Sequence, residues 1–152
     1  MVTALDVDTG RMIAKAADRL KGMGLVKPTF VGMVKSGADK ERVPEDQNFW
    51  YIRCASVLYQ AYTKDVIGTN SMRTHYGGRK NRGKRPQRTV KSGGSTIRKA
   101  MQELEKHGLL EKTGKKSLKN KAGKEIFIFK GRKLTGKGRK LMDSSAKEIA
   151  TG

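Results

Sequence analysis

The chain has one cysteine, three prolines, one tryptophan and two histidines among 152 residues, and only 14 Asp and Glu against 34 Lys and Arg. Each scarcity excludes something. The lone Cys54 leaves no internal disulfide and no cysteine-based zinc cluster, which points to a reducing compartment, the cytosol. His75 and His107 stand far apart with no cysteine or acid at ligand spacing, so no metal site is expected. No apolar run approaches the roughly 18 residues of a membrane-spanning helix. The opening MVTALDVDTG carries two acids and no basic-then-apolar order, so neither a signal peptide nor a membrane partner is expected and the chain is predicted to be soluble. The few acids form no carboxylate dyad and no nucleophile–base pair, and the glycine pairs at 77–78 and 93–94 fit no GxxxxGK[ST] phosphate loop. An enzyme, a cofactor and a small-molecule substrate are therefore not expected.

What the chain has in excess is positive charge. The net charge is +20, a self-repulsion best tolerated beside a polyanion, and nucleic acid is the leading partner class. The charge is unevenly placed: residues 1–65 carry 10 basic and 8 acidic side chains, residues 66–152 carry 24 and 6. A hydrophobic fraction of 36% suffices for one core, and a single domain over 1–152 is expected.

Apolar periodicity predicts a helix over 9–23, capped by Thr9, with Ile13, Ala16, Ala17, Leu20 and Met23 inward. A short second helix is predicted from Pro28 to Gly37. A long core helix follows from Asn48 to before Gly68, with Trp50, Cys54, Val57, Leu58, Ala61 and Tyr62 on one face and Phe49, Ile52 and Val66 widening it. Ser71 is expected to cap a short helical turn ending at the glycine pair 77–78. Ser92 or Ser95 is expected to open a helix burying Ile97, Ala100, Met101 and Leu104 and closing at His107-Gly108. LLEKT and EIFIFK then read as strands, with the Lys- and Gly-rich connector 114–124 between them. Thr135 is expected to cap a last helix to about 147, with Leu134, Gly138, Leu141 and Met142 inward and a frayed end.

Residues 66–102 hold ten Arg and Lys and no acid, a segment able to neutralise many phosphates. Within it, YGGRKNRGKRPQRTVKSGGS has seven cations and five glycines. Arginine forks grip phosphate oxygens in pairs, and the glycines would let backbone N–H groups approach a sugar-phosphate chain. Both flanks are anchored, so 77–94 is expected to be a glycine-hinged arginine loop that RNA orders. The candidate nucleic-acid contacts are Arg53, Arg73, Tyr76, Gly77, Gly78, Arg79, Lys80, Arg82, Lys84, Arg85, Arg88, Lys91, Ser95, Arg98 and Lys99. The order helix, strand, basic tip, strand further suggests a winged-helix unit whose wing, about 109–130, brings Lys115, Lys116, Lys119, Lys121 and Lys124 to a flanking backbone.

The runs NFWYIRCAS, SMRTHYGGRKNRGKRP, SGGSTIRKAMQELEKHGLLEK and KLTGKGRKLMD, in this order and spacing, resemble the e-type small-subunit ribosomal protein number nineteen of archaea and eukaryotes, across nearly the whole chain. Its pattern carries over to Arg53, Met72, Tyr76, Gly77, Gly78, Arg79, Ser95, Arg98, Gln102 and Leu104, and the long hairpin connector is more similar to archaeal than to animal members. The resemblance implies a mostly helical protein built around a winged-helix core. It further implies binding to ribosomal RNA in the head of the small subunit beside neighbouring head proteins, a cytoplasmic location and a part in subunit assembly. The free protein is expected to be monomeric. On charge and wing alone, a winged-helix transcription regulator reading duplex DNA through the helix at 95–107 is the alternative.

Overall fold

The computed structural model describes residues 2–119 and 125–151, with side chains described outside 115–119 and 125–128. Its centre is the helix α2 (Phe49–Lys64), whose Trp50, Cys54, Ala55, Val57, Leu58 and Ala61 are buried. Helix α1 (Thr9–Gly22) packs on it through Met12, Ala16, Ala17 and Leu20. Its cap is Asp8, not Thr9: the Asp8 carboxylate accepts from the Arg11 amide at 2.9 Å, while Thr9 is already helical and its hydroxyl lies 3.4 Å from that of Tyr59.

The helix predicted over 28–37 is absent. Turn hydrogen bonds, from Val31 N to Pro28 O and from Val34 N to Phe30 O, close single turns that do not propagate. Gly32 sits at φ +96°, outside helical geometry. The segment instead crosses to Gly37, which pairs with Ser92.

Asp65, at φ +56°, ends α2 and turns the chain into a two-residue strand β1 (Val66–Ile67). Val66, expected on the inner helix face, is thereby exposed, and Ile67 enters the core. Helix α3 (Thr69–His75) follows, starting two residues before the expected Ser71 cap, with Gly68 at its N-cap. Beyond it lie the strands β2 (Gly78–Arg82) and β3 (Arg85–Val90) and the helix α4 (Gly94–Lys106). Helix α4 buries Ile97, Ala100, Met101 and Leu104 as its spacing predicts. Its N-cap is Gly93, with neither Ser92 nor Ser95 capping it. Gly108, at φ +68°, supplies the left-handed stop that the sequence announced.

Strands β4 (Leu110–Lys119) and β5 (Glu125–Leu134) are longer than LLEKT and EIFIFK, and 114–119 is strand rather than connector. With β1 they form an antiparallel sheet in the order β1-β5-β4. The close approach of β1 requires Gly131, where a Cβ would stand 2.6 Å from the Ile67 carbonyl oxygen. Thr135 Oγ1 accepts from Gly138 N at 3.2 Å and caps α5 (Gly136–Thr151), which runs past the expected end at 147. Helix α5 packs Met142 and Ala146 into the core. Arg19 ties α1 to it by donating to Ser144 and Glu148.

Candidate nucleic-acid interface

The acid-free segment is a shaped element, not a loop. Strands β2 and β3 pair as a two-stranded ribbon, with Gly78 opposite Val90, Arg79 opposite Thr89, Lys80 opposite Arg88 and Arg82 opposite Arg85. The turn has two residues, Gly83 and Lys84; Gly83, at φ +69°, occupies the first turn position, where a tight hairpin favours glycine. Asn81 Oδ1 accepts from Gly83 N at 3.0 Å. Arg82 donates twice to the Pro86 carbonyl, at 2.9 and 2.8 Å. All residues from Arg79 to Thr89 are exposed, so the ribbon has no core of its own.

Its foot is clamped. Arg73 Nε donates to Ser92 O at 2.9 Å, Ser92 N returns a bond to Arg73 O at 3.0 Å, and both Ser92 Oγ and Gly93 N donate to Ser36 O at 2.8 Å. The glycine pairs serve this clamp. A Cβ on Gly77 would stand 2.5 Å from Val90 O, one on Gly78 2.6 Å from Asp39 Oδ2, one on Gly93 2.9 Å from Ser36 O, and one on Gly94 3.2 Å from the Arg73 side chain. None of the four has a positive φ. The expected hinges are therefore close-packing points, and the protein's own atoms fill the space that a sugar-phosphate chain was expected to take. Asp39 is the carboxylate wedged beside them. Burial opposes its ionisation, but the Lys40 ammonium at 2.9 Å and a backbone hydrogen bond outweigh burial and hold its pKa below the ordinary aspartate value.

Tyr76 links the ribbon to α2. The Arg53 guanidinium lies over its ring at 4.1 Å and over that of Phe49 at 5.2 Å, a cation–π stack that fixes an arginine plane. The Tyr76 and Ser56 hydroxyls are 2.7 Å apart. Burial lowers the Arg53 pKa, an effect that Tyr76 partly offsets, and burial raises that of Tyr76, which favours its neutral phenol. His75 packs edge-on against Tyr76 at 4.9 Å. Burial first, then Lys64 and Arg53, lower its pKa and leave the imidazole uncharged near neutrality. Cys54 is fully buried and burial drives its thiol pKa far upward, as befits a core residue.

The candidate residues thus divide by role. Arg73 commits its Nε, and Arg82 its Nε and one Nη, to the ribbon itself, and Lys91 donates to Asn70 Oδ1 at 3.0 Å. Arg79, Lys80, Lys84, Arg85, Arg88, Arg98 and Lys99 are exposed and have no ion pair among the described residues. Ser95 is exposed in the first turn of α4, immediately beyond the clamp. At the other end of α4 the charges are matched: Lys106 meets Glu103 at 2.6 Å, and Glu105 meets Lys112 at 3.1 Å and Arg132 at 2.9 Å. Lys115, Lys116 and Lys119 lie on β4, whereas Lys121 and Lys124 lie outside the described residues.

Phe49, Ser56, Asp39, Ser36 and Asn70 also shape this site and were not anticipated. Only Phe49 left a signal in the sequence, one helical turn before Arg53. Among the described residues no three His, Cys, Asp or Glu side chains gather as a metal site, and no helix is long and apolar enough to cross a membrane.

The family described as Ribosomal protein S19e matches residues 3–152. The chain is 38% identical over 152 residues to small ribosomal subunit protein eS19 of Aeropyrum pernix, covering 98% of this chain and 90% of that one. It is 35% identical over 147 residues to the protein of the same name from Emericella nidulans, covering 96% and 90%. With eS19A of Schizosaccharomyces pombe it shares 37% identity over 113 residues, 74% of this chain and 78% of the relative.

Proposed function

The chain belongs to the ribosomal protein S19e family, a structural constituent of the small ribosomal subunit rather than an enzyme, and we propose that it enters the subunit head by laying the β2–β3 ribbon on folded ribosomal RNA. The observation that carries this is the ribbon's register. Lys80 faces Arg88 and Arg82 faces Arg85, and like charges directly opposite each other destabilise a strand pair. Phosphates between them remove that repulsion. Arg79, Arg85 and Arg88 bridge RNA backbones, Arg53 on its aromatic bed and Tyr76 buttress the ribbon's start, and Arg98 and Lys99 extend the cationic surface.

We read the units from α2 to β5 as a winged helix. The order helix, strand, helix, helix, strand, strand and the sheet order β1-β5-β4 support this, with β4–β5 as the wing and the ribbon inserted before α4. A DNA regulator would concentrate free charge along α4. Here the last turns of α4 are engaged in internal ion pairs, and the free charge stands on the ribbon ahead of it. That distribution favours phosphate-and-shape recognition of RNA. Order imposed on RNA also aids assembly, so depletion of the protein is expected to leave small-subunit RNA precursors unprocessed. Its net charge of +20 opposes self-association, and the free protein is expected to be a monomer.

The test is Arg79→Glu with Arg85→Glu and Arg88→Glu, positions whose side chains hold nothing in the fold. Fractionation should show incorporation into small subunits falling at least about tenfold, because several phosphate contacts become repulsions, while the thermal midpoint of the free protein stays close to that of the parent. Normal incorporation would contradict the assignment.

A further inference from the structure

The segment between α1 and α2 leaves apolar side chains in the open before it reaches the clamp at Ser36. Val26, Met33 and Val34 are 65%, 78% and 49% exposed. Phe30 and Val34 of this segment form one wall of a groove of about 350 Å³ whose other wall is Ser95, Arg98 and Lys99 of α4. Resting on the ribosomal reading above, we infer that this groove receives a neighbouring protein of the small subunit, through a segment in which an apolar side chain is flanked by Asp or Glu.

Two features select that occupant. The apolar lining is Phe30 and Val34, with the exposed Met33 next in the chain, and a methionine adapts to the shape of an inserted apolar side chain. RNA presents phosphates and flat bases, for which the ribbon and the Arg53–Tyr76 stack are the suited surfaces. The rim is cationic: Arg98 and Lys99 border the groove, Lys27 and Lys35 flank Val26 and Val34 in the chain, and residues 24–36 contain no acid. A partner bringing carboxylates around its apolar anchor finds Lys27 and Lys35, which are not among the RNA-facing cations, exposed and without ion pairs among the described residues. Complementary charge of this kind sets partner and register. The groove adjoins the foot of the ribbon, so the neighbour sits where protein and RNA contacts of this chain meet.

The experiment places the photoreactive residue p-benzoylphenylalanine at Met33 in the full chain, purifies small subunits, irradiates them and sequences the cross-linked peptides. The expected result is one neighbouring ribosomal protein, joined at a segment with an apolar residue between acids. Cross-links to RNA alone, to a segment without acids, or none at all in subunits that contain the chain would overturn the inference and leave the ribosomal reading intact. Failure of the chain to appear in small subunits would overturn both. As a second arm, Met33→Glu with Val34→Glu should lower the occupancy of that neighbour in salt-washed subunits several-fold by quantitative mass spectrometry, with incorporation of the chain itself retained. Unchanged occupancy would sink the proposal.

Discussion

Two β-hairpins leave the same helical core, and they are stabilised in opposite ways. The β4–β5 hairpin is rooted: Leu109 and Leu110 are buried at its base, Ile67 of β1 joins it from the other side, and Glu105 of α4 holds both Lys112 and Arg132. The β2–β3 ribbon has exposed side chains from Arg79 to Thr89 and like charges facing each other across the strands. An isolated two-stranded hairpin is marginal in water. The contrast sets a hairpin that belongs to the fold, supported by apolar burial, against one that polyanion neutralisation is proposed to complete.

The largest expected effect falls on the rooted hairpin. Leu110→Ala removes a fully buried side chain at its base and should cost about 2–5 kcal/mol, read by chemical denaturation. Replacing residues 79–89 of the ribbon by a short Gly-Ser turn should leave the denaturation midpoint close to the parent value. A comparable loss from both changes would erase the distinction between the hairpins.

Gly77→Ala comes next. Its Cβ would meet backbone atoms, Val90 O at 2.5 Å and Arg73 O at 3.1 Å, which cannot swing aside as a side chain can. About 1–3 kcal/mol of overpacking cost is expected, expressed as a loosened ribbon foot and weaker binding to ribosomal RNA rather than a loosened core. Ribbon amide shifts in NMR spectra distinguish these outcomes.

Acid probes the same foot more gently. The folded-state pKa of Asp39 lies below the ordinary value of 3.8, so its ionised form adds stability that is complete above the ordinary value. That contribution fades as pH falls through the depressed folded one. The Gly77 and Gly78 amide signals should therefore shift only in strongly acid solution, and Asp39→Asn should abolish that step. A step nearer neutrality would contradict the ion-pair account.

The smallest effect is Lys80→Thr. Removing one of two facing cations should steady the free ribbon by a few tenths of a kcal/mol. The same change should reduce the salt dependence of RNA binding by roughly one phosphate contact. The opposite signs of these two changes are the signature of an element tuned for its ligand.

The helices were legible where apolar spacing is regular. Ile97, Ala100, Met101 and Leu104 announce α4, and Trp50, Cys54, Val57, Leu58 and Ala61 announce α2, because burial on one face is what the period of 3.6 residues encodes. Strand alternation failed as a guide at β2–β3 because neither face is apolar, leaving Gly83 as the only clear turn cue. Pro28 gave a helix-start signal that Gly32 and the open apolar side chains around it did not continue. Val66 kept the helical period of α2, and only the turn at Asp65 releases it to pair with β5. The roles of the glycine pairs were hidden for another reason: Asp39 and Ser36, which fill the space beside them, lie several dozen positions upstream, and such contacts exist only in the folded chain. The basic character of the site was legible; its division into clamp residues and free cations was not.

The most direct measurement is amide hydrogen exchange across both hairpins, in the free protein and in purified small subunits. Amides of β2 and β3 should exchange rapidly in the free protein and slow at least about a hundredfold in the subunit, while those at the root of β4 and β5 remain protected in both states. Ribbon amides already as protected in the free protein as those at the root, and unchanged in the subunit, would contradict the claim that RNA completes this element.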